Sequence, residues 1–222
     1  MEKPKLYEQL GVEGFLDWTN VEIFKDVIET VQPKSILEIG FYKGASSFFW
    51  LYLSQAKLLS VDSMLWDGCS IENVHKLLKQ YPERFSFLCD SSLNIKTKLI
   101  NQEFDLMFID GGHTPDIYVN DIQLALDLNV NHIFIDDCSK DIFVTFRKMV
   151  LKDYDIIRRY DRKTDREFIP MLLAKKKIKS DKDELDRLVE KWDATFNKIK
   201  VEIPSMKTKL KRKIIQLCLA PW

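Results

Sequence analysis

Residues 35–53, SILEIGFYKGASSFFWLYL, decide the fold. The apolar run through Ile36, Leu37 and Ile39 reads as a short strand that stops at Gly40, and Gly44 opens a helix. Both glycines stand where the backbone has to turn sharply and approach a ligand closely, which a Cβ would obstruct. A helix beginning near Gly44 then points free N–H groups and the positive end of its dipole at an anionic group. The stretch is the turn of a nucleotide-cofactor site.

Two kinds of cofactor use a strand, a glycine turn and a helix, and the spacing separates them. A dinucleotide fingerprint needs G-x-G-x-x-G so that the backbone can approach a pyrophosphate, whereas Tyr42 occupies the place of the middle glycine. What remains is E-x-G-x-x-x-G, with Glu38 before the first glycine. It resembles motif I of the class I S-adenosylmethionine-dependent methyltransferases. More narrowly, EIGFYKGASS resembles the EIG-x-Y-x-G-G-S form of a subgroup containing macrocin-type sugar O-methyltransferases and cephalosporin-hydroxylase-like proteins. That resemblance implies a cofactor held by Glu38, Gly40, Tyr42, Gly44 and Ser46.

The resemblance continues in order over roughly residues 19–174. KLLSVDS is a strand ending in Asp62, which by analogy accepts the ribose hydroxyls of the cofactor, a feature shared with dehydrogenases. FSFLCDSS ends in Asp90 and Ser91, at the adenine edge in the methyltransferase pattern; a strand followed by Asp-Ser is also an ordinary helix N-cap. The fourth strand and its exit, FDLMFIDGGHTPDIYVNDIQLAL, match the family's D-x-x-F-I-D-G-x-H run. Aspartate at a strand's carboxyl end lies on the ligand-binding edge of an open α/β sheet, so Asp110 faces the cofactor crevice. His113 follows three residues later.

The fifth strand, NHIFIDDCS, ends in Asp136 and Asp137 on the same edge. Three carboxylates from two neighbouring strands, with room for water and substrate, describe a Mg²⁺ or Mn²⁺ site, because hard ions prefer oxygen ligands and keep exchangeable positions. The resemblance implies the same assignment, since metal-dependent members place one acid after strand four and an Asp-Asp or Asp-Asn pair after strand five. Unpaired, the three acids would repel one another. A dication would lower the pKa of an acceptor hydroxyl and hold it in line with the methyl sulfonium, and His113 would take the proton. The plain alternatives are that Asp110 bonds the cofactor or its own loop and that Asp137 caps a helix beginning near Ser139. His75 and His132 read as structural or solvated.

Between Thr19 and Val31, Val21, Phe24, Val27, Ile28 and Val31 recur at helical spacing until Pro33. Strands centre near residues 37, 60, 87, 107, 134, 156 and 170, with helices between the first six. Such alternation predicts an α/β, Rossmann-like, mostly parallel sheet with helices on both faces. YDIIRRY and REFIPMLLAKK lie too close for a helical crossover, so they form a C-terminal antiparallel hairpin. By the family resemblance the last strand is inserted between neighbours.

At 222 residues and 45% hydrophobic content, the chain can bury a full core. Cys69, Cys89, Cys138 and Cys218 have neither C-x-x-C spacing nor a secretory context and read as reduced thiols. Cys138 has no base placed to activate it. With no signal-peptide pattern and no apolar run of membrane-spanning length, the expected location is the cytoplasm, or the host cytoplasm for a viral gene.

The net charge of zero hides two poles. Residues 175–222 hold 14 Lys or Arg and 7 Asp or Glu, so residues 1–174 hold 20 and 27. The reading therefore divides a methyltransferase domain, 1–174, from a basic amphipathic helical extension, 175–222. In the extension Leu185, Leu188, Trp192, Phe196 and Ile199 form one helical stripe before Pro204, and Leu210, Ile214 and Leu217 a second. The stripes suit packing on the domain or in a homo-oligomer; contact with an anionic membrane surface is the next reading, and nucleic acid the last.

The acceptor is the least legible part, because the segments that would recognise it carry no motif. The resemblance favours a hydroxyl on a sugar or small molecule; Trp18, Trp66 and Tyr42 read either as an apolar or sugar-stacking wall or as core or rim residues. Two further readings stay open: a metal-independent small-molecule methyltransferase and a non-catalytic cofactor-binding module.

Overall fold

The protein is described from a computed structural model, which covers residues 2–12, 16–112, 114–138, 140–163 and 168–177. The basic extension lies outside the described residues from residue 178 on. Seven strands form one sheet: β1 (Ser35–Ile39), β2 (Lys57–Asp62), β3 (Phe85–Cys89), β4 (Leu106–Ile109), β5 (His132–Ile135), β6 (Tyr154–Lys163) and β7 (Phe168–Lys176). Their order is β3-β2-β1-β4-β5-β7-β6. The first five are mutually parallel, and β7 runs antiparallel between β5 and β6. This is the expected insertion of the last strand. The last strand continues through Lys176, and the chain is compact up to Lys177.

Period-two alternation in the strands builds a core on each face of the sheet. Ile36, Leu58, Leu106, Phe108 and Phe134 pack on one face with Phe24 of α2 (Val21–Val31) and with Phe48, Phe49 and Trp50 of α3 (Ala45–Leu53). Leu37, Ile39, Met107, Ile109 and Ile133 pack on the other with Tyr118 and Ile122 of α6 (Pro115–Asp127) and Phe146 of α7 (Lys140–Val150). Of the apolar stripe of α2, Val21, Phe24 and Val27 are buried and Ile28 and Val31 are half-buried against the same core, and Gln32 ends the helix in the left-handed region with φ 50°. Trp18 belongs to this core and not to an acceptor wall: its ring packs on Tyr7, Phe49 and Tyr52.

Parallel pairing carries one residue beyond each strand, and this aligns the site. The N–H of Asp90 donates to Asp62, that of Gly40 to Val61, that of Asp110 to Ile39 and that of Asp136 to Ile109, all to backbone carbonyls at 2.9–3.1 Å. Asp90, Asp62, Gly40, Asp110 and Asp136 therefore stand in a row along the carboxyl edge of the sheet. A parallel sheet turns five distant sequence motifs into one rim.

Candidate active site

A cleft of about 940 Å³ opens along this rim, lined by Gly40, Tyr42, Asp62, Ser91, Asp110 and Asp136 among others. The volume is at the upper end for small-molecule sites and leaves room for two ligands. Ser46, Asp90, Asp137 and Arg162 also border it, and Trp66 and Leu93 stand on it with 63% and 61% of their surfaces exposed.

The glycine turn has the predicted form but a different reason for its glycines. Gly40 has φ 98°, and a Cβ there would lie 2.1 Å from the backbone oxygen of Asp110. Gly44 has φ 83° and caps α3, and its Cβ would strike the Phe41 ring at 2.6 Å. The protein's own chain, not a ligand, excludes the side chains. Gly44 does not line the cleft.

Glu38 does not line it either. Strand alternation turns it away from the cleft onto the α3 face, fully buried, where its Oε2 accepts hydrogen bonds from the hydroxyls of Ser47 and, at 2.7 Å, Ser60. Burial pushes its carboxyl up to about 7, against the lowering effect of the serine hydroxyls. The expected cofactor ligand is a buried fastener between β1, β2 and α3.

Asp62 is on the cleft and already engaged. Its Oδ2 accepts the N–H groups of Phe41 at 2.7 Å and Tyr42 at 2.9 Å, and its Oδ1 accepts that of Met64 at 2.7 Å. A carboxylate offers about four lone-pair sites, so among the described residues three are used and one, on Oδ1, remains for a ligand hydroxyl. Asp90 is not a helix N-cap: its Oδ1 accepts the N–H of Ser91 at 2.8 Å, and its Oδ2 pairs with Lys98, whose hydrogen bond holds the carboxyl below its ordinary range.

At the other end of the row the three expected metal ligands do come together, but they are not unpaired. Arg162 of β6, 5% exposed, reaches over the end of β5. Its Nη2 lies 2.8 Å from Asp137 Oδ1 and 3.0 Å from Asp136 Oδ2, and its Nε donates to Asp136 Oδ1 at 3.3 Å. Asp137 is held in the left-handed region with φ 50°, its N–H donating to Asp136 Oδ1 at 2.8 Å. Desolvation first, then the charges of Asp136 and Asp137, push the Asp110 carboxyl well up. Burial likewise raises Asp136, with Arg162 opposing. Among the described residues no group of three or more His, Cys, Asp or Glu side chains is arranged to hold a metal ion. The donor set does not fit a dication while the guanidinium stands among it.

Arg162 was missed because YDIIRRYDRK reads simply as a charged edge strand. The bulge that aims it leaves no sequence signal. His113 and Ser139 lie outside the described residues; Gly112, before His113, lines the cleft. Cys138 is buried, which pushes its thiol up to about 12 and leaves it unreactive. His132 starts β5, with Nδ1 3.2 Å from the Asp105 carbonyl, as a structural group. No helix among the described residues is long and apolar enough to cross a membrane.

Comparison with known proteins agrees with this geometry. Residues 37–138 match a family model described as a methyltransferase domain. No curated protein matches the sequence. The fold is similar to that of the O-methyltransferase TomG from Streptomyces achromogenes, involved in tomaymycin synthesis and solved in complex with SAM (14% identity, 80% of this chain and 92% of that chain, TM-score 0.65). It is also similar to an O-methyltransferase from Bacillus cereus in complex with SAH (14%, 80% and 93%, TM-score 0.62) and to the SAH-bound methyltransferase PaMTH1 from Podospora anserina (18%, 79% and 89%, TM-score 0.56). Residues 37–138 thus match a methyltransferase domain, and the glycine turn at Gly40 and the inserted antiparallel strand belong to the fold that the chain shares with these solved methyltransferases.

Proposed function

We propose that the protein transfers a methyl group from S-adenosylmethionine to a hydroxyl oxygen of a small-molecule acceptor, a sugar hydroxyl being the leading class. The observation that carries this reading is one cleft along the strand-end row, lined by Asp90 and Asp62, then Gly40 and Tyr42, then Asp110 and Asp136. The donor set fits the cofactor: Asp62 keeps one acceptor site, Ser46, Asp90 and Ser91 border the same side, and an acidic rim complements a sulfonium cation. When bound, the cofactor supplies an electrophilic methyl group. The chain's own part is to hold the acceptor oxygen in line and to exclude water. His113, next to the cleft-lining Gly112, is the residue we assign to accept the hydroxyl proton. Solved O-methyltransferases of similar fold support oxygen as the target atom.

Of the metal-dependent and metal-independent forms of this reading, the guanidinium of Arg162 among the three acids favours the second. The test is titration calorimetry with S-adenosylhomocysteine, followed by transfer of a labelled methyl group to a panel of sugars, phenols and aliphatic alcohols. Binding with transfer to a hydroxyl is expected. Absence of binding at millimolar ligand removes the reading, and binding without transfer across the panel makes the protein a cofactor-binding module.

A further inference from the structure

We infer that Arg162 is the built-in cation of the acidic centre, standing where a divalent ion would otherwise neutralise Asp110, Asp136 and Asp137. This concerns what balances the acids and holds whether or not the acceptor is a hydroxyl.

Backbone geometry delivers this arginine. β6 and β7 pair with Ile156 opposite Ala174 and Arg158 opposite Leu173, so Ile157 is an extra residue in β6. A one-residue bulge switches every later side chain to the other face of a strand. Before it, Tyr154 and Ile156 pack with α6 and α7; after it, Tyr160 packs on Phe134 on the α2 side, and its hydroxyl donates to Asp26 at 2.5 Å. Arg162 follows Tyr160 by two residues and shares its direction. β6 also outruns β5: Arg162 pairs with Ile169, three residues before the β7 partner of Ile135, which is Leu172. The overhang brings the guanidinium beyond the end of β5, where Asp136 and Asp137 leave it.

The contacts suit a permanent occupant. Guanidinium presents a planar fork of donors, and here one fork engages two consecutive carboxylates while almost wholly buried. A dication entering the same oxygens would have to displace that charge and leave it buried beside the metal, an arrangement opposed by both desolvation and repulsion. Asp110, the third acid, is half-buried on the cleft beside this pair and is covered by the same positive charge.

Mn²⁺ binding to the full chain, read by electron paramagnetic resonance, tests the assignment without any turnover. Wild-type protein is expected to show no saturable binding at millimolar Mn²⁺. Arg162→Met, which keeps length but removes charge, is expected to gain one site, and Asp136→Asn or Asp137→Asn in that background should abolish it. Arg162→Lys should bind none. If wild-type protein binds one Mn²⁺ and loses it with Asp136→Asn, the inference is overturned, whatever the fate of the Arg162→Met fold. A folded Arg162→Met that binds no ion overturns it equally.

Discussion

Asp62 at the end of β2 grips the backbone of Tyr42 in the turn after β1: its Oδ2 accepts the Tyr42 N–H at 2.9 Å, alongside that of Phe41 at 2.7 Å. The acid that sequence assigns to the cofactor also fixes the loop on which the cofactor would rest. Hydrogen bonds to a charged partner contribute about 1.5–3 kcal/mol each, so Asp62→Ala should lower stability by about 2–4 kcal/mol even without ligand. Urea unfolding of the ligand-free protein measures this, and calorimetry with S-adenosylhomocysteine measures the second loss. A variant with unchanged stability but lost binding would confine Asp62 to ligand contact.

Gly40 and Gly11 share a positive φ, 98° and 60°, but differ in surroundings: a Cβ at Gly11 meets nothing within 4 Å, whereas at Gly40 it meets the Asp110 carbonyl. Gly11→Ala should cost about 1–2 kcal/mol, the left-handed penalty alone. Gly40→Ala should add a backbone clash between β1 and β4 and either fail to fold or lose about 4 kcal/mol or more. Thermal unfolding of the two variants side by side checks the order, and equal losses would sink the packing explanation.

How much of this was legible in the sequence depended on the range of each interaction. Strand-end acids and turn glycines are local signals, and parallel pairing places them on one edge whatever the details of packing. The elements and the inserted last strand followed from periodicity and from the family pattern. Glu38 was misread because its motif position suggested the cofactor, while its strand parity, the same as that of Ile36, points to α3. Arg162 was invisible because its role depends on a bulge at Ile157 and on an overhang of β6 past β5, both tertiary facts. Trp18 had the composition of a stacking wall, but Tyr7 and Phe49 claim it for the core.

Glu38 gives the fold a pH dependence of definite sign. Its folded value is about 7 against an ordinary 4.5, so the folded state holds the proton more tightly than the unfolded chain. The resulting stability is complete below about 4.5 and is lost as pH rises towards about 7. The span amounts to about 3 kcal/mol at most. Glu38→Gln cannot titrate, so the stability difference between wild type and variant should move in the variant's favour across that window and then level off. Chemical denaturation at half-unit pH steps reads it; a difference that stays flat from pH 4 to 8 would show that Glu38 is not protonated in the fold.

His113→Gln should remove most methyl transfer while leaving cofactor affinity intact. The motive is positional: His113 directly follows Gly112, which lines the cleft, and precedes Thr114, the N-cap residue of α6. On the proposal that Arg162, paired with Asp136 and Asp137, takes the place of a dication, the proton of the acceptor hydroxyl leaves through a base. Loss of a general base costs about 10²–10⁴ in rate, and the full range is open where no metal shares the task. A transfer rate that rises along a limb near the ordinary histidine range in wild type, and loses that limb in the variant, supports the assignment. A raised acceptor KM with an unchanged pH profile would instead make His113 an acceptor-binding residue, since only uniform binding would then have been removed.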